Sequence, residues 1–165
     1  SVVLGRMPWV FFAIALLVLA AGIGLRDLDE SLDGPNPVAD TLPQTVDLLR
    51  QVPGNPLVLV DAFHWAASGA DPDHITSLGA GAVGHVHLAD TPSGCSPDTL
   101  TDAMRLFPGD GSLPWSEFAG ALAAVGYRGV GSVELFNPEL RALPDHEIAR
   151  RARHGSTTCW TPKEA

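Results

Sequence analysis

Asp61, His87 and Glu134 are residues of this 165-residue chain whose types and placement can do chemistry together. Each stands at or near the carboxyl end of a strand-like run: Leu57-Val58-Leu59-Val60-Asp61, His85-Val86-His87-Leu88 and Ser132-Val133-Glu134-Leu135. Runs of this kind read as strands buried on both faces, as in a parallel sheet covered by helices. Ligands of such sheets sit beyond the carboxyl ends of the strands, where Asp61 and His64 fall. Two carboxylates and an imidazole form a mixed oxygen and nitrogen set that suits Mn, Mg, Co or Zn. A divalent cation in that set polarises a carbonyl and a neighbouring hydroxyl, acidifying the carbon-bound proton between them. Taken singly, each residue has an ordinary alternative: an Asp capping the next turn, or a core His bonded to backbone. Recurrence at three equivalent strand ends favours one shared metal site. His85 and His87 point the same way, because the side-chain period of a strand is two. His87 is nearer the carboxyl end and is taken as the ligand, with His85 as a packing or supporting residue.

The elements that must position these residues follow from the spacing. A helix is expected with Asp40 or Thr41 as cap, Pro43 in its first turn, and Val46, Leu49 and Val52 on its buried face. Pro53-Gly54-Asn55 ends it before the strand Leu57–Asp61. A second helix begins at Asp71-Pro72 and runs to about Leu78, and the strand Val83–Leu88 follows. The long stretch Ala89 to Pro114 then crosses the top of the sheet, with a short helix over Pro97–Met104. Connections of this length in compact domains tend to be functional. Pro114 opens a third helix with Phe118, Leu122 and Val125 at helical spacing, stopped by Gly126-Tyr127-Arg128-Gly129. The strand Val130–Leu135 and a closing helix over Asp145–His154 complete the pattern, and residues 156–165 read as a frayed tail. With a strand over Ile23–Leu28 the chain holds about four βα units. The fold class is therefore α/β, a partial eight-stranded barrel, since a closed one takes ~250 residues.

Pro8 to Leu25 carries no charge and is bracketed by Arg6 and Arg26. Two readings stay open for it: a membrane anchor or signal segment, for which a span takes ~20 residues, or a buried barrel helix. The expected organisation is residues 1–26 as this apolar segment, 27–155 as the barrel portion, and 156–165 as the tail. The cytoplasm is the expected location, with membrane association through residues 8–25 as the alternative. A net charge of −9 with only ten Lys and Arg argues against a nucleic-acid partner. Cys95 and Cys159 are far apart without CxxC spacing and read as free thiols. An open half-barrel exposes sheet edges, so a homo-oligomer or a separate first half is an expected partner.

Five motifs in order carry a family resemblance. Asp61-Ala-Phe-His64-Trp, His85-Val-His87-Leu-Ala-Asp90, Arg105-Leu-Phe-Pro-Gly109-Asp-Gly111, Gly126-Tyr-Arg-Gly129 and Ser132-Val-Glu134-Leu-Phe together resemble the sugar phosphate isomerase/epimerase family. That family consists of TIM barrels of the xylose isomerase-like superfamily, and the resemblance covers about Val38 to Asn137, its carboxyl-terminal half. It implies a metal-dependent isomerase or epimerase acting on a small sugar or sugar phosphate, by proton transfer through an enediolate. It implies Asp61, His87 and Glu134 as metal ligands, Glu134 also as one of two proton-exchanging glutamates, and His64 and Arg105 as substrate contacts. The second glutamate is expected near residues 27–30, where Asp27, Asp29 and Glu30 match the family poorly. A non-catalytic half-barrel acting through association is the rival expectation. An apurinic endonuclease of the same superfamily is disfavoured by the acidic balance and by too few ligands for a multi-zinc cluster.

Overall fold

A computed structural model describes residues 57–160. The apolar segment 8–25, the acids Asp27, Asp29 and Glu30, the Ile23–Leu28 strand and the helix expected before Pro53 all lie outside the described residues. Strands β1 (Val58–Asp61), β2 (Val83–Leu88) and β3 (Gly131–Val133) form one parallel sheet in the order β1-β2-β3. Helices α1 (Ala62–Ala67) and α2 (Pro72–Thr76) lead from β1 to β2, and α3 (Trp115–Ala124) leads from the long loop to β3. Helices α4 (Pro138–Arg141) and α5 (Asp145–Cys159) follow. Sequential parallel strands joined through helices are the repeating unit of an α/β barrel, and the three strands among the described residues form part of one.

All four residues of β1 are buried, as its unbroken apolar run requires. Alternation along the strand separates two jobs. Val58 and Val60 pack with Val86, Leu88, Trp65, Ile75, Phe118 and Leu122 in the core between sheet and helices. Asp61 and His87, on the alternate positions, face away from that core and pair directly across the β1–β2 register. The register slips between Val58 and Leu59, so that Gly84 is passed over. A Cβ there would stand 2.7 Å from that of Leu57, a distance the chain cannot tolerate without shifting. Helix α3 buries Phe118, Ala121 and Leu122 on one face, and full burial of one such large side chain is worth about 1.5–3 kcal/mol.

Several expected boundaries move. Helix α1 starts at once after β1 because the Asp61 side chain accepts the His64 N–H and caps it. Helix α2 stops at Thr76 rather than near Leu78. The short helix expected over Pro97–Met104 is two 3-10 turns, Pro97–Thr99 and Asp102–Met104, because Leu100 and Thr101 between them are extended. Strand β3 is shorter than expected, ending before Glu134. The frayed tail is a correction: α5 runs through Cys159, and Trp160 packs its ring 6.3 Å from Phe118 and 6.2 Å from Tyr127. Aromatic burial at the core rim anchors the end of the helix. Residues 161–165 lie outside the described region. Among the described residues, no helix is long and apolar enough to cross a membrane.

Candidate metal centre

Asp61 ends β1, His87 stands one residue before the end of β2, and Glu134 follows β3 directly. The Glu134 N–H donates to the Leu88 carbonyl at 3.2 Å, extending the pairing of β3 and bringing its side chain to the same end of the sheet. One ligand atom from each of the three lies within 4.8 Å of the others. Two donors on opposite sides of an ion, each about 2.0–2.2 Å away, are about 4.4 Å apart at most, so the set closes on a cation with small side-chain movement. The donor chemistry, two carboxylate oxygens and one imidazole nitrogen, fits a divalent metal. Among the described residues the set offers three candidate ligands, the number that the protein supplies in catalytic zinc sites.

The electrostatics are strongly coupled. His87 Nδ1 is 3.1 Å from Glu134 Oε2 and 3.7 Å from Asp61 Oδ2. These two carboxylates outweigh its partial burial and push the imidazole up to about 9. Burial by itself would raise the Asp61 carboxyl, but His87, Arg105 and His64 prevail and hold it well below the usual carboxylate range. Burial and the neighbouring His87 push His85 down. Its Nε2 is 2.7 Å from Ser132 Oγ and its ring meets that of His87 edge-on with centroids 5.4 Å apart.

His64 and Arg105 also come to this end of the sheet. Arg105 is only 1% exposed. Its Nη1 donates to Asp61 Oδ2 at 2.8 Å, its Nε to Asp102 Oδ1 at 2.8 Å, and its Nη2 lies 3.1 Å from His64 Nε2. The guanidinium carbon sits 4.8 Å from the Phe63 ring centre and 5.4 Å from that of Phe136. Nη1 is also 3.7 Å from Glu134 Oε2, so the cation borders both carboxylates of the site.

Two participants escape the sequence reading. Asp102 holds Arg105 from three residues upstream, a spacing visible only once the turn is known. Asp90 is fully buried and accepts four N–H donors, from Thr91, Gly109, Leu113 and the Trp115 indole. Asp90 closes the motif His85-Val-His87-Leu-Ala-Asp90, but nothing in that motif names the donors that its carboxylate gathers.

With this geometry in hand, comparison with known proteins gives the family. Residues 16–157 match the family described as the xylose isomerase-like TIM barrel. The chain belongs to that family. Inosose isomerase of Bacillus velezensis is 30% identical over 139 residues, covering 82% of this chain and 48% of the relative. A 3-dehydroshikimate dehydratase of Pseudomonas putida is 34% identical over 113 residues, covering 67% of this chain and 18% of the relative. Among solved structures, the IOLI protein with a bound zinc atom superposes with a TM-score of 0.70 at 26% identity, over 76% of this chain and 45% of that one. The chain thus spans about half the length of the inosose isomerase and under a fifth of the dehydratase.

Proposed function

We propose that the chain forms part of a metal-dependent sugar isomerase or epimerase that moves a proton next to a carbonyl through an enediolate. The observation that carries the reading is the convergence of Asp61, His87 and Glu134 within 4.8 Å at the carboxyl end of the sheet. A zinc-containing structural neighbour and relatives named for inosose and psicose chemistry support it. When bound, a divalent cation such as Mn, Mg, Co or Zn would stabilise negative charge on the carbonyl and hydroxyl oxygens of a sugar, acidifying the C–H between them.

The chain's own residues divide the remaining work. Asp61, with a side chain 3% exposed and pinned by the His64 N–H and Arg105, suits a fixed ligand. Glu134, at 24%, is the accessible carboxylate, and it takes and returns the carbon-bound proton. His87 completes the ligand set. His64, whose ring edges the site, binds substrate oxygens, and the buried Arg105, taken as a substrate contact from the resemblance, reaches them through His64 and Asp61, which its guanidinium holds. The 34% identity to a dehydratase favours a second reading at the same site: the same proton removal, followed by departure of a neighbouring hydroxyl as water.

Titration of the full chain with Mn2+, followed by calorimetry and by Asp61→Ala and Glu134→Ala, tests the site. One equivalent bound in the parent and none in either variant is expected. Equal binding in parent and variants removes the site as drawn. Incubation with inososes and ketohexoses in D2O then reads the chemistry: deuterium next to the carbonyl supports proton transfer, and a product lighter by one water supports the dehydratase reading. A parent chain that binds no metal leaves the non-catalytic association module as the better description.

A further inference from the structure

Building on the metal-site reading, we infer that Asp90 is a positioning residue: its carboxylate sets the backbone of the 105–115 loop and thereby the place of the Arg105 guanidinium beside Asp61 and Glu134. Asp90 lies three residues beyond His87, just past the end of β2. Its main chain pairs on both sides with Leu106, the residue after Arg105: the Asp90 N–H donates to the Leu106 carbonyl at 2.9 Å and the Leu106 N–H to the Asp90 carbonyl at 3.0 Å. Its side chain then gathers the rest of the loop. Oδ1 accepts from Thr91 N and Leu113 N, each at 2.8 Å, and Oδ2 accepts from Gly109 N at 2.8 Å and Trp115 Nε1 at 2.9 Å.

Every donor is a neutral N–H, and no cation touches this buried anion among those contacts. Only a carboxylate meets the requirement, because an Asn amide has one accepting oxygen and would turn its NH2 toward two donors. The loop is cut to fit it. Gly109 has φ +87°, the left-handed region that presents its N–H to Oδ2, and a Cβ on Gly111 would stand 2.6 Å from Asp90 Oδ1. The outcome is a rigid tie between the strand that carries His87 and the loop that carries Arg105.

The full chain is studied by NMR with neither metal nor substrate, so failure of the Mn2+ titration and failure of this inference are separate results. Hydrogen exchange of the Arg105 Nε–H, which is bonded to Asp102, is followed beside the Val60 and Val86 amides of the core. In Asp90→Asn, Arg105 Nε–H exchange is expected to quicken about tenfold to a hundredfold, the loss equivalent to one hydrogen bond of a charged group, with the core amides unchanged. Unchanged Arg105 exchange in a folded variant overturns the inference. So does uniform loosening of loop and core, which marks a purely structural acid. Should Asp90→Asn not fold, Trp115→Phe, which removes one of the four donors, decides in the same way: selective acceleration at Arg105 supports the tie, and none refutes it.

Discussion

Replacing Asp61 with Asn removes one buried negative charge and keeps an oxygen for the His64 N–H. In chelator, where His87, Arg105 and the two carboxylates balance among themselves, the variant leaves the Arg105 guanidinium short of its 2.8 Å partner at 1% exposure. Removing one member of a buried pair costs about 3–5 kcal/mol. Asp102 at 2.8 Å and Glu134 at 3.7 Å still face the cation, so the lower end, about 3 kcal/mol, is expected. Asp61→Ala also forfeits the cap of α1 and should cost about 1 kcal/mol more. Urea unfolding followed by tryptophan fluorescence reads both, and with m of about 1–3 kcal/mol/M the Asn midpoint falls by about 1–3 M. The sign with pH is fixed as well. The Asp61 carboxyl is held below its ordinary 3.8, so its contribution is present above pH 3.8 and fades as pH falls toward the folded value. The penalty of Asp61→Asn must therefore shrink in acid. A loss under about 1 kcal/mol at neutral pH, or one that persists undiminished in acid, would refute the buried-pair reasoning.

Three further outcomes follow from the same structure. His87 is raised from 6.5 to about 9, so in chelator its stabilising contribution is full below pH 6.5 and lost as pH rises to about 9; His87→Gln should flatten unfolding curves across that window. A metal must displace that proton, so Mn2+ affinity measured by calorimetry should climb between pH 6.5 and about 9, with proton release detectable from the buffer dependence of the heat. Phe118→Ala empties the centre of the aromatic cluster formed with Trp65, Trp115 and Trp160, and should destabilise the chain by about 3–5 kcal/mol in thermal unfolding while leaving Mn2+ stoichiometry intact.

Much of this was legible in the sequence because two periodicities are short-range. Buried parallel strands write themselves as apolar runs, and Leu57–Asp61 and Val83–Leu88 stand nearly as expected, with their acid and imidazole at the ends. Phe118 and Leu122 mark α3 for the same reason. Where local preference is weak, the reading failed: the run Pro97–Met104 broke into turns at Leu100 and Thr101, and Trp160 held a tail that composition alone would let fray.

Residue types and spacing by themselves determined the α/β class, the family, and the candidacy of Asp61, His87 and Glu134. Tertiary structure alone decided that Arg105 is a buried cation clasping Asp61 and that Asp90 gathers the loop. The physical reason is distance along the chain: Arg105 and Asp61 are 44 residues apart, and Asp90 and Trp115 are 25 apart. No local pattern encodes which donor meets which acceptor across such gaps. That choice is made when burial removes water and every charged or polar group must find a partner within reach.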